Sequence, residues 1–194
     1  MNKPLTPKQT VFILALLLAV AMAITRYHHF GSVVNLPDAT LAVFFLAGFY
    51  LASSRFFPSL LIEAGVIDYF AITAGETSDW CISPAYVFLI PTYGCLWYAG
   101  RWYRRRYEMD WRALAPLFSA VFIGTSAAFL ISNGSFYRLS GYFADMSWLE
   151  YGASVAPYYL PYMINTLVYI ACTAGVHIIV TRLNSWQKNT GLRA

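Results

Sequence analysis

The chain has 194 residues, 59% of them hydrophobic and 11% charged, with a formal net charge of +4. A soluble domain carries about 25% charged residues, so a water-facing globule is excluded and a bilayer is the expected solvent. The positive charge is gathered in a few clusters rather than spread along the chain, which argues for membrane anchoring and against a nucleic-acid-binding face.

Six runs approach the roughly 20 apolar residues that cross a hydrocarbon core, over 9–30, 38–54, 57–74, 84–103, 112–132 and 157–181. Stretches such as VFILALLLAVAMAI are continuous rather than alternating, so helices and not barrel strands are predicted. The expected architecture is an all-α membrane protein, one bundle of six transmembrane helices forming a single domain over 1–194. No internal repeat, low-complexity tract or linker divides it.

The first run follows Lys3 and Lys8 and contains Ala21-Met22-Ala23, features that imitate a cleavable signal peptide. Its apolar character continues to Ile24, so a retained helix is predicted. Within it Ala15, Ala19 and Ala23 recur every four residues, a spacing that lets two membrane helices approach closely. It ends in Thr25-Arg26-Tyr27-His28-His29. The second run is short. The third carries Glu63 and, in its outer half, Asp68. An ionisable residue inside a span is costly and marks a functional site by default; the structural alternative is an acid paired with Arg26 or capped by Tyr86.

Between the third and fourth runs lies GETSDWCISPAY, residues 75–86. Ser83 and Pro84 read as N-cap and first helical residue of the fourth span. Cys81 stands just before that N-terminus, where the helix dipole favours thiolate over thiol. Tyr86 follows at the start of the span. Cys95 lies about three turns deeper and, with Cys172 in the sixth run, reads as a small packing residue. Cys81 is then an unpaired outer thiol: either a reactive group that can ligate a soft metal or an inert loop residue. The fourth run closes on RWYRRRY, a headgroup anchor.

After the fifth run comes the long segment 133–156, in which Ser147-Trp148-Leu149-Glu150 matches a capping box and predicts a short helix over about 148–155. In the sixth run Tyr158, Tyr162, Asn165, Tyr169 and Cys172 fall on one helix face, and its outer half is expected to point into a cavity shared with the fourth. The aromatic content of 18% suffices to line a wide site for a bulky, flat ligand. His177 sits near the inner end, far from His28 and His29.

Eleven of the thirteen Lys and Arg residues fall on one side of this arrangement, with Arg26 and Arg138 on the other. Both termini are therefore predicted to be cytoplasmic, and the loops around 31–37, 75–83 and 133–156 face outward. In a bacterium that side is the oxidising periplasm.

The free outer cysteine in DWCISPAY, Tyr86 five residues later, Asp68 in the preceding span and His29 at the end of the first resemble the pattern of the BtuM family. These small bacterial inner-membrane proteins are implicated in cobalamin (vitamin B12) uptake. They share the six-helix fold of the S-components of energy-coupling-factor transporters. The resemblance covers the whole chain. It implies that Cys81 is an axial ligand to the cobalt of bound cobalamin and assists decyanation of cyanocobalamin. Asp68, Tyr86 or His29 would relay the thiol proton or bond the leaving cyanide. His28, Tyr86, Tyr158, Tyr162 and Asn165 would line the corrinoid site. It also implies a coupling module docking on Ala15, Ala19 and Ala23; the alternative for that stripe is packing within the bundle.

No G-x-x-x-x-G-K-[ST] signature is present, so the chain itself cannot drive uptake by ATP hydrolysis. Two other functions remain open. An S-component for another vitamin, of riboflavin or thiamin type, keeps the fold and leaves Cys81 unexplained. A membrane thiol oxidoreductase would need a redox pair, and only one outer cysteine is expected.

Overall fold

The computed structural model describes residues 6–27, 36–51, 53–74 and 83–190, without the side chains at 184 and 187–190. The predicted sites Cys81, His28 and His29 lie outside the described residues. Among those described there are six α-helices and no strands: α1 Pro7–Tyr27, α2 Thr40–Tyr50, α3 Phe56–Thr73, α4 Leu89–Arg104, α5 Leu114–Leu139 and α6 Trp148–Thr190. Short 3₁₀ turns, Pro84–Phe88 and Trp111–Ala113, lead into α4 and α5. Four segments are long and apolar enough to cross a membrane: Pro7–Arg26, Phe56–Thr73, Trp111–Leu139 and Trp148–Leu183.

Each predicted run contains a helix, but two differ in kind from a simple span. α2 has 11 residues, about 16 Å at 1.5 Å per residue, half a hydrocarbon core. Nine of its residues, Thr40 to Gly48, are buried, so its apolar character serves protein packing rather than lipid. The fourth run begins with 3₁₀ geometry. Five residues at about 2.0 Å and sixteen at about 1.5 Å give roughly 34 Å, enough to cross.

The capping box at Ser147 forms. Ser147 N–H donates to Glu150 Oε2 at 2.8 Å, and Glu150 N–H to Ser147 Oγ at 3.3 Å. The helix it starts is not the short one expected over 148–155. It runs on for 43 residues through Pro157 and Pro161, because no helix-ending glycine or turn intervenes between the cap and the apolar run. Similarly, α5 continues about two turns beyond the predicted end, through Ser132-Asn133-Gly134-Ser135, to Leu139.

The centre of the bundle is the α2–α4 pair. Phe44 stacks on Tyr93 with ring centroids 4.6 Å apart, and Phe57 meets Trp97 edge-on at 5.5 Å. Two glycines permit the close approach. A Cβ at Gly48 would overlap the carbonyl oxygen of Trp97, and one at Gly100 that of Phe45. α5 packs on the far side of α4, where a Cβ at Gly124 would come within 3.0 Å of Ala99.

Side-chain bonds set the helix directions. Arg26 at the end of α1, Thr40 at the start of α2, Asp68 late in α3 and Tyr86 ahead of α4 meet at one end. At the other, Tyr50 at the end of α2 meets His177 in the last part of α6, with hydroxyl and Nδ1 3.1 Å apart. The helices thus alternate in direction, and the start of α1 and the end of α6 lie together at the end bearing Arg101, Arg104 and Arg105. There Arg106 stacks over the Trp102 ring at 4.0 Å.

Candidate functional site

Arg26 occupies the last turn of α1, where a cation complements the helix dipole. It is 8% exposed, and a guanidinium so enclosed needs partners. It donates from Nε to Asp68 Oδ1 at 2.7 Å and from Nη2 to Asp68 Oδ2 at 2.6 Å, a bidentate pair between α1 and α3. From Nη1 it donates to Tyr93 Oη at 2.9 Å and Thr40 Oγ1 at 3.2 Å. Tyr86 donates its hydroxyl to Asp68 Oδ2 at 2.7 Å. Asp38 accepts from Thr40 N–H at 2.9 Å, pinning the first turn of α2, and its second oxygen lies 3.7 Å from Arg26 Nη1. Thr25 Oγ1 accepts from Ala39 N–H at 3.1 Å, a further tie between α1 and the head of α2.

This network floors a cavity of about 370 Å³, near the lower bound of small-molecule sites. Arg26, Asp38, Asp68 and Tyr86 form one wall. Ser83 lies beside Tyr86, and Ser132, Asn133 and Ser135 come from the outer turns of α5. Ala71, Leu89 and Phe136 supply apolar surface.

The structure brings the predicted residues Asp68 and Tyr86 into direct contact. Both structural alternatives for Asp68 occur at once, since it pairs with Arg26 and receives Tyr86. Its carboxylate is saturated, so its part is to orient the guanidinium and the phenol, not to collect a proton. Tyr86 keeps oxygen lone pairs available to the cavity.

Tyr158, Tyr162 and Asn165 do not line this cavity. Tyr158 is exposed, Tyr162 packs against the Phe129 ring at 5.4 Å, and Asn165 is half-buried. The expected single face exists, but α6 lies against α5 and α2 and stands aside from the α1–α3–α4 end. Tyr169 instead ties α6 to the approach to α2, donating to the Pro37 carbonyl at 2.6 Å. Cys95 is half-buried, whereas Cys172 is exposed, so it faces outward instead of packing inside. Ser83 takes the N-cap position with Pro84 first in the turn, but its hydroxyl makes no cap bond.

Sequence reasoning missed Asp38, Tyr93 and the α5 residues as parts of the site, and weighed Arg26 only as a structural partner. The polar run SNGS at the end of an apolar stretch was the available signal for α5, but it also fits a loop. Among the described residues no group of three His, Cys, Asp or Glu side chains could hold a metal ion.

A second cleft of about 320 Å³ opens at the opposite end between α2, α5 and α6. Its walls include Phe49, Tyr50, Tyr107 and His177, with the His177 ring 5.7 Å from both Tyr50 and Tyr107. No family model matches the sequence, and no curated protein matches it.

Proposed function

We propose that this chain is a six-span, S-component-like protein of the bacterial inner membrane that binds cobalamin at its outer end and serves its uptake. In this reading the thiolate of Cys81 bonds the cobalt. The observation that carries it is the meeting of Asp68 and Tyr86 on a cavity whose wall includes Ser83, two residues along the chain from Cys81. The arginine-rich end faces the cytoplasm, which turns the Arg26 end outward.

A cavity of about 370 Å³ takes part of a corrinoid and not the whole, so the ring rests across the mouth with its edge inserted. Decyanation is a redox-neutral ligand exchange. The Cys81 thiol gives up its proton and its sulfur donates an electron pair to cobalt(III). The cobalt–carbon bond breaks with its pair on carbon, and cyanide leaves carrying the released proton. Tyr86, oriented by Asp68, is the described hydroxyl suited to bond the leaving anion. Uptake energy would come from a coupling module on the half-buried Ala15, Ala19 and Ala23 stripe.

The test is the visible spectrum of cobalamin added to purified protein. Wild type shifts the spectrum and Cys81→Ala does not; an equal shift in both removes the sulfur–cobalt bond from the mechanism. The cavity volume also favours a second reading, an S-component for a flat vitamin of riboflavin or thiamin type, which would fit whole. Mass spectrometry of the co-purified ligand separates the two.

A further inference from the structure

The charged groups of the outer cavity are already committed to one another, whereas two neutral polar groups on its wall are not. Ser83 Oγ is shut off from solvent and has no hydrogen-bond partner. A buried hydroxyl left unpaired costs about 1–3 kcal/mol, so the position calls for an explanation. Thr125 also has an unpaired buried hydroxyl, but it does not line this cavity. Across from Ser83, on α5, Asn133 donates Nδ2–H to the Phe129 carbonyl at 2.9 Å. A main-chain carbonyl only accepts, so the nitrogen is the atom facing it. This leaves Oδ1 without a partner among the described residues, as an acceptor on a residue of the cavity wall.

Arg26 is held by Asp68, Tyr93 and Thr40, and no other cation lines the cavity. An anion entering here would find no uncommitted positive charge and would face Asp38. The unmet capacity is one hydroxyl that can donate and one carbonyl that can only accept.

From this complementarity we infer that Ser83 and Asn133 form a subsite for a neutral primary amide of the ligand. The amide carbonyl accepts from the Ser83 hydroxyl and the amide N–H donates to Asn133 Oδ1. A carboxylate of the same shape accepts from Ser83 but sets its lone pairs against Asn133 Oδ1, and is rejected. The inference rests on the cobalamin reading for its ligand, since a corrinoid carries primary amides around its ring.

The experiment uses the full-length protein in detergent. Cobalamin is compared with cobalamin monocarboxylic acids, made by hydrolysing single peripheral amides. Wild type binds cobalamin about tenfold or more tightly than at least one acid isomer, the ratio expected when a buried acceptor is left facing a lone pair. Ser83→Ala and Asn133→Leu each bring that ratio toward one while keeping the Cys81-dependent spectral shift. Ser83→Ala has a second signature. Removing an unpaired buried hydroxyl leaves the ligand-free protein as heat-stable as wild type or more so, while cobalamin affinity falls. If every acid isomer binds as well as cobalamin, or the ratio survives both substitutions, the amide subsite is wrong and cobalt ligation stands. If wild type gives no cobalamin-dependent signal at all, the cobalamin reading fails and the subsite falls with it.

Discussion

Four N–H bonds leave the Arg26 side chain, two to Asp68 and one each to Tyr93 and Thr40. They join α1, α2, α3 and α4 at one point. Asp68→Asn leaves a nearly enclosed guanidinium with Asp38, 3.7 Å away, as its remaining counter-charge. Removing one partner of a buried pair costs about 3–5 kcal/mol. The expected result is a large fall in the thermal midpoint in detergent, whereas Tyr86→Phe, which removes one hydrogen bond, lowers stability by only about 1 kcal/mol. Equal midpoints for Asp68→Asn and wild type would refute this account of the pair. Asp68 and Tyr86 were legible as site residues because a charge inside an apolar run has no cheap explanation. Arg26 was harder to read, because it sits in a cluster with Tyr27, His28 and His29 that also suits a solvated helix end. Asn133 was hidden by its neighbours: Ser, Asn and Gly together signal a turn, yet here the helix continues through them.

At the scale of elements, hydropathy located all six helices but not their lengths. A run of buried residues and a run facing lipid have the same composition, and α2 is of the first kind. What distinguishes it is length, since an apolar stretch of 10–14 residues is more often a core helix than a span; the run over 38–54 concealed the end of α2 at Tyr50. The glycines of the α2–α4 contact carry a sharper expectation. Gly48 and Gly100 each face a main-chain carbonyl that cannot rotate away. Gly48→Ala or Gly100→Ala therefore separates the two helices, at a cost of roughly 3 kcal/mol, the upper part of the usual overpacking range. Gly134→Ala is the control: nothing lies within 4 Å of its would-be Cβ, and replacing a mid-helix glycine there raises stability by about 0.5–1 kcal/mol. Thermal unfolding of the three variants in one detergent checks the ordering, and a Gly100→Ala protein as stable as Gly134→Ala contradicts it.

For the molecule as a whole, alternating helix directions put the Arg26 cavity and the His177 cleft at opposite ends. Under the charge rule, an impermeant maleimide added to intact cells labels Cys81 without permeabilisation. A thiol introduced as Ser185→Cys, at the exposed far end of α6, is labelled only after permeabilisation. The reverse pattern would invert the topology and place the Arg26 cavity inside. α6 itself is about 64 Å long at 1.5 Å per residue, so it outreaches any bilayer core. Pro157 and Pro161 have no amide hydrogen to return to Ala153 and Pro157, and the two missing rungs fall one turn apart along the same edge of the helix. Flexing of this rod is concentrated there: a stub starting at the Ser147 cap can swing relative to a shaft clamped by Tyr50 and His177, and a hinge lies on the flank of the bundle that the cavity leaves uncovered.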